Sequence, residues 1–303
     1  MFDTLINKLQ NDKYIALETT PSREPSFDNI LDAIEKYQLN TKIDAFSTTD
    51  NPLAKLKYNS LFAAVKLQQK FNLPAIATMS MRDKNKIALQ SDLLGANDFD
   101  IRTILALTGD PIKMSDQPHA KGVFEGNSQM LLEIIKSFNN GMDYSGKPFK
   151  IKPKQILPFC VINSYAKHFK SLENKMNKKI QCGVSGIISQ PVYNTQSAIK
   201  LLESFNTAKN DFKDQRAKTQ LILGIFPITK LRTAQFLSSH VPGINVPNNW
   251  IDTLTKASKI SEDEERKVGM NLSHKLLKDI QKLHPKIHIM TTNKFDIAYE
   301  LLD

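Results

Sequence analysis

One pattern repeats along the chain: a short apolar run rich in β-formers, then a longer stretch with helical spacing. The runs fall at residues 14–17, 43–46, 75–79, 103–107, 156–162, 186–189, 221–226 and 286–290. After the first, Phe27, Ile30, Leu31 and Ile34 share one helix face, with Ser26 placed to cap it. Helices are predicted over residues 53–71, 84–96 and 167–181. Two more are marked by Leu131, Ile134, Ile135 and Phe138, and by Ala198, Leu201, Leu202 and Phe205. Several helices separate the last two runs, one of them opening with Ser261 and Glu264 in capping-box spacing.

Eight β runs, most followed by a helix, predict an α/β fold: a single (β/α)8 barrel occupying residues 1–303 as one domain. Counting runs does not show closure, so an open doubly wound sheet is the alternative. Against a nucleotide-binding open sheet, the 11 glycines form neither a G-x-G-x-x-G fingerprint nor a P-loop.

A barrel carries its chemistry at the C-terminal ends of its strands. There the chain places Glu18, Thr49-Asp50-Asn51, Ser80, Thr108-Gly109-Asp110, Asn163, Gln190, Thr229 and Thr291-Thr292-Asn293. Together these predict a polar-rimmed pocket, though loops are polar in any case. Glu18 directly follows Ile15-Ala16-Leu17. A carboxyl there, desolvated by a bound cofactor, would have a raised pKa and could serve as a general acid. The plainer alternative is a solvent-facing loop carboxylate. Asp110 follows Gly109, whose backbone permits close approach of a ligand, and could accept hydrogen bonds from a heterocycle; a turn-forming Asp before Pro111 is the other reading. Gln190 can both donate and accept.

Composition narrows the classes. The formal charge is +10, from 41 Lys and Arg against 31 Asp and Glu. The basic residues are scattered, without the clusters and interleaved aromatics of a nucleic-acid surface. Lys175, Lys178 and Lys179 form the densest group, suited to a phosphate or simply to a solvated helix face. Cys160 and Cys182 read as reduced thiols, and no signal peptide or membrane-spanning run is evident, so a cytoplasmic protein is expected. The six histidines have no metal-ligand spacing; His284 and His288 flank the eighth run without sharing a helix face. No metal is expected.

In order, the stretches ALETTP (16–21), STTDNP (47–52), RDKNKIALQSDLLGA (82–96), ILALTGDP (104–111), ISQPVYN (188–194), GIFPITKLRTAQFL (224–237), VPGINVP (241–247) and IHIMTTN (287–293) resemble the methylenetetrahydrofolate reductase family. The longer ones look most like the reductase half of bacterial two-module proteins that also carry a homocysteine methyltransferase. That second module is absent here, which implies a separate methionine synthase as consumer of the product. The resemblance implies a barrel holding FAD, reduced by NAD(P)H, that converts 5,10-methylenetetrahydrofolate to 5-methyltetrahydrofolate by ping-pong hydride transfer. It implies Glu18 as the acid and Asp110 as the aspartate beside flavin and pterin. Thr49, Leu107, Thr108, Gly109 and Lys179 fall at cofactor positions, and Gln190 at a pterin position. Family members commonly assemble, which implies a homo-oligomer.

The chain departs from the family at five places. Thr78-Met79-Ser80-Met81 stands where many members have His-Leu-Thr-Cys, so Thr78 replaces a flavin contact. Asn163 occupies a cofactor position that is often aromatic. At substrate positions, Thr233 and Leu237 replace Gln and Phe, and Lys294 replaces an Arg. These departures motivate the alternative of a non-redox folate-binding or methyl-transfer partner on the same barrel. The presence of Glu18 weighs against it.

Overall fold

The computed structural model describes residues 1–210, 218–241 and 243–303. Eight strands form a closed parallel barrel in sequence order: β1 (Tyr14–Thr19), β2 (Ala45–Thr48), β3 (Ala75–Ser80), β4 (Thr103–Leu107), β5 (Leu157–Ile162), β6 (Gly186–Pro191), β7 (Gln220–Ile225) and β8 (Lys286–Ile289). Closure is carried by the pairing of β8 with β1, in which Ala16 lies opposite His288. The open-sheet alternative is thereby excluded.

The helices form the outer layer: α2 (Asp28–Lys36), α3 (Ser60–Phe71), α4 (Lys86–Asp98), α5 (Ser128–Asn139), α6 (Phe169–Gln181), α7 (Thr195–Asn210), α8 (Leu231–His240), α9 (Asn248–Ser258), α10 (Glu262–Leu283) and α11 (Phe295–Leu302). Strand side chains alternate between two cores, as the pleat requires. Ile15, Leu17, Phe46, Ala77, Ile104, Ile187, Leu223 and Ile287 pack outward against the helices. Tyr14, Ala16, Ala45, Ile76, Leu105, Phe159, Ile188 and Ile222 fill the barrel interior. Ser261 caps α10 as its spacing predicts, its Oγ accepting from Glu264 N–H at 3.0 Å.

Three expectations need correction. Residues 53–71 are not one helix. Asn51, Leu53 and Ala54 take positive φ (41°, 58° and 56°), and the Asp110 carboxylate captures Leu53 N–H at 2.6 Å. The helix starts only at Ser60, where the Asn59 side chain caps it. Ser26 is not the N-cap of α2; it lies one residue outside, accepting from Asp28 N–H at 3.1 Å. An N-terminal helix that the pattern reading passed over, α1 (Phe2–Asn11), buries Phe2, Leu5 and Leu9 against the interior residues at the bottom of the barrel.

Candidate active site

The inward register of each strand decides what reaches the mouth. On β1 the inward positions are Tyr14, Ala16 and then Glu18; on β8, Lys286 and then His288. A cavity of about 530 Å³ opens above them. It brings together Glu18, Thr49, Thr78, Leu107, Thr108, Gly109, Asp110, Lys179 and Gln190, nine of the thirteen residues singled out in the sequence.

The remaining four lie outside that lining. Asn163 packs against the loop after α8, where a Cβ on Gly243 would stand 2.4 Å from the Asn163 side chain. Thr233 and Leu237 ride on α8, whose amphipathic face turns Leu237 into the core at 8% exposure. Lys294 is exposed at the start of α11.

Asp50 and Ser80, two of the strand-end polar residues expected at the rim, also line the cavity, and the structure adds His288 to its wall. His288 is 2% exposed, with Nε2 3.7 Å from Glu18 Oε2 and 3.5 Å from Ser47 Oγ. Counting back by two from Met290, at the top of the eighth run, reveals His288 as an inward residue, whereas a search for metal spacing passes over it. Asp50 Oδ2 accepts Ser80 N–H at 3.0 Å, tying the top of β2 to that of β3. Withdrawal from water raises the Asp50 carboxyl pKa, against the opposing attraction of Lys84.

The rim is braced from behind. Arg82, 1% exposed, donates to both Asp83 carboxylate oxygens at 2.7 and 2.6 Å and to Asn51 carbonyl at 3.0 Å. Burial alone would raise the Asp83 carboxyl; the guanidinium overcomes this and holds it below the usual range. Gly109, at φ 96°, passes so near that an added Cβ would meet Arg82 Cβ at 2.7 Å. On the opposite side, a register shift between Ile188 and Pro191 turns both Ser189 and Gln190 to the cavity. It depends on Gly224, where a Cβ would stand 2.3 Å from Ser189 carbonyl.

Pairing of β4 with β5 runs from Thr103–Leu157 to Ala106–Cys160, and above it Lys179 reaches in to donate to Val161 carbonyl. Thr108, Ser128 and Lys179 are shared with one or both of two adjoining spaces: the mouth and a second cavity of about 270 Å³ between α5 and α6. Lys175, Lys178 and the N-terminal turn of α5 line the latter, a combination that favours an anion. One wall of the mouth therefore carries three carboxylates and its extension carries lysines.

A larger cavity of about 630 Å³ lies at the opposite end of the barrel. Among the described residues its lining includes Lys136, Lys218 and helix-end amides but no carboxylate or histidine, so the mouth is the better candidate. Neither cysteine is poised as a nucleophile: burial pushes the Cys160 thiol up to about 11 and raises that of Cys182. Among the described residues, no three His, Cys, Asp or Glu side chains are grouped to hold a metal ion, and no helix is long and apolar enough to cross a membrane.

Fold and site thus define a (β/α)8 protein whose strand-end pocket holds a glutamate–histidine pair and adjoins a lysine-lined cavity. The methylenetetrahydrofolate reductase family model matches residues 3–303, and the chain belongs to that family. Methylenetetrahydrofolate reductase 2 of Schizosaccharomyces pombe is 23% identical over 308 residues, covering 95% of this chain; the chain spans 45% of that relative's length. Among solved structures, an uncharacterized Clostridium thermocellum protein that binds two copies of 5-methyl-5,6,7,8-tetrahydrofolic acid matches with TM-score 0.66 and 14% identity, covering 99% of this chain and 96% of its own. The long-chain alkane monooxygenase LadA matches at TM-score 0.58 and 8% identity, covering 96% of this chain and 89% of its own. These structural likenesses bear on the fold.

Proposed function

We propose that the protein reduces 5,10-methylenetetrahydrofolate to 5-methyltetrahydrofolate, using FAD and NAD(P)H. Family membership supports a folate-related reductase. The observation that carries the particular reading is the Glu18 carboxylate, set on the inward face of β1 beside His288 in a cavity shared with Asp110 and Gln190.

The residues present fit a flavin dinucleotide. Thr49 Oγ1 and His288 Nδ1 are buried at the mouth with no hydrogen-bond partner in the protein, as expected of groups awaiting a polar ligand. The two adjoining cavities, of about 530 and 270 Å³, offer room for a ring system and for a phosphate-bearing arm. Thr49, Thr78, Leu107, Thr108 and Gly109 would hold the ring, and Lys175, Lys178 and Lys179 the phosphates. Bound there, FAD supplies the hydride chemistry.

The chain's own residues supply orientation and a proton. Opening the folate's five-membered ring breaks its bond to N10 and leaves a 5-iminium cation, so N10 must gain a proton. Glu18 is the carboxyl placed to deliver it, and His288 can hold that carboxyl in position and return a proton to it. Asp110 and Gln190 offer the acceptors and the amide donor that a pterin edge needs.

An absorbance spectrum of the purified protein tests this, followed by anaerobic NADH or NADPH and then methylenetetrahydrofolate. A flavin band that bleaches with nucleotide and returns with folate is expected. A colourless protein that takes up no added FAD yet binds 5-methyltetrahydrofolate would overturn the reductase reading. It would favour instead a folate-binding protein, the second reading that the Clostridium thermocellum neighbour motivates.

A further inference from the structure

Helix α4 carries apolar side chains on both of its faces. Buried Leu89, Leu93 and Ala96 hold it to the barrel, and its exposed positions are Ile87, Ser91, Leu94, Gly95 and Asp98. Of these five only Asp98 is charged, while Ile87 is 77% and Leu94 46% exposed. The exposed positions of α6, by comparison, are Lys170, Ser171, Asn174, Lys175, Lys178 and Gln181, none of them apolar. A surface helix ordinarily keeps its apolar side chains on the core face, and one apolar all round is buried all round. We propose that the outer face of α4 packs on the same face of a second copy of this chain, the two helices running antiparallel about a twofold axis at Ser91.

The spacing of the exposed residues is complementary to itself. Ile87 precedes Ser91 by four positions and Leu94 follows it by three, which at helical pitch puts both large side chains to the same side of Ser91. A second helix turned end for end about Ser91 therefore brings its Leu94 level with Ile87, and the contact repeats across the axis. At the centre the side chains are small. Ser91 is short, and a Cβ added at Gly95 would find nothing within 4 Å, so the surface there is open to the close approach of another helix.

Charge favours a second copy over an unrelated partner. Lys86 opens α4 and Asp98 closes it, so each stands at the end of the helix dipole that disfavours its sign. Among the described residues neither makes an ion pair, whereas Lys84, just before the helix, bonds to Asp92 at 2.5 Å. Antiparallel packing carries Asp98 to the N-terminal end of the second copy's α4, beside Lys84 and Lys86, and corrects both charges at once. A pair of helices of this length buries less than the ~800 Å² per partner of a standard interface, so association in the micromolar range follows.

Sedimentation equilibrium of the intact protein tests this, with the average mass expected to rise from one chain to two between ~1 and ~100 µM. Leu94→Glu, at an exposed position that leaves the circular dichroism spectrum unchanged, should weaken association at least ~10-fold. Asp98→Lys should weaken it about 2- to 5-fold, and adding Lys86→Asp should restore it. Ser91→Cys reports the axis itself: mild oxidation should join like to like and give a covalent dimer on a non-reducing gel. Wild type, with Cys160 buried and Cys182 half-buried, should give none under the same conditions. A chain that stays monomeric at ~100 µM overturns the proposal, as does a dimer untouched by Leu94→Glu, which must use another face. A dimer that Leu94→Glu breaks but Ser91→Cys does not cross-link would overturn the twofold packing about Ser91.

Discussion

The two ends of the barrel are built from the same strands to opposite purposes. On β1, three residues separate Tyr14 at the bottom from Glu18 at the top. Below, Tyr14 is wholly buried among Phe2, Leu5 and Leu9 of α1, which closes the interior with apolar side chains. Burial pushes the Tyr14 phenol far up, away from ionisation. The bottom also tolerates an orphan in Tyr14 Oη, while the Arg102 guanidinium pairs with Asp100 at 3.2 Å and lies over the Phe2 ring, 4.0 Å from its centroid. Above, Thr49 and His288 leave polar atoms unmatched around an open cavity. The bottom end contributes stability, and the top end gives some of it up to receive a ligand.

If that division holds, substitutions at the two ends have separable effects. Glu18→Gln keeps the shape of the top and removes its exchangeable proton. Folate reduction is expected to fall about 10²–10⁴-fold, the usual worth of a general acid. Flavin reduction by NAD(P)H should persist, because that half-reaction does not need a proton at N10. Stopped-flow measurement of the two half-reactions separates them; full folate turnover by the variant removes Glu18 from the mechanism.

At the other end, Leu5 is 2% exposed within the apolar plug. Leu5→Ala is expected to lower stability by about 2–5 kcal/mol through lost burial and a residual cavity. The turnover of folded molecules should stay at the wild-type value. Denaturant titration paired with kinetics at low temperature checks both, and a large fall in kcat with unchanged stability would erase the contrast between the ends.

How legible each end was in the sequence follows from the kind of signal involved. Strand positions were readable because apolar runs such as 103–107 differ sharply from helical spacing, and barrel mouths are polar at predictable places. Glu18, Asp110 and Gln190 sit one to three residues past such runs. His288 was harder: it interrupts Lys-Ile-His-Ile-Met as a polar residue inside a strand, and only the inward alternation shows that it faces Glu18. The break at residues 51–54 depends on a contact between distant segments, Asp110 to Leu53 N–H, and no local pattern announces it. The same holds for Leu237, whose helix face is decided by the neighbours of α8. The α1 helix did leave a trace, Phe2, Leu5 and Leu9 at helical spacing, but ten residues before the first strand give little periodicity to read.

The smallest expected effect probes the top end's sacrifice of stability directly. The Asp50 carboxyl has its pKa raised by burial, with Asp83 adding to the shift, while Lys84 and hydrogen bonds from Ser80 oppose it. The folded state therefore holds the Asp50 proton to a higher pH than the unfolded chain does. Above the raised pKa the buried charge costs stability, and that cost vanishes as pH falls towards the ordinary carboxylate range near 4. Asp50→Asn keeps an acceptor for Ser80 N–H and removes the charge. It should melt roughly 1–3 °C above wild type at neutral pH, with the gap closing on acidification through the raised pKa. A constant gap across that window would mean that side-chain packing, not charge, separates the two proteins. A variant less stable than wild type at neutral pH would show that Lys84 more than compensates for the lost water. In that case Asp50 would belong with the structural braces of the rim, alongside Arg82 and Asp83, and the contrast between the barrel's two ends would rest on Thr49 and His288 alone.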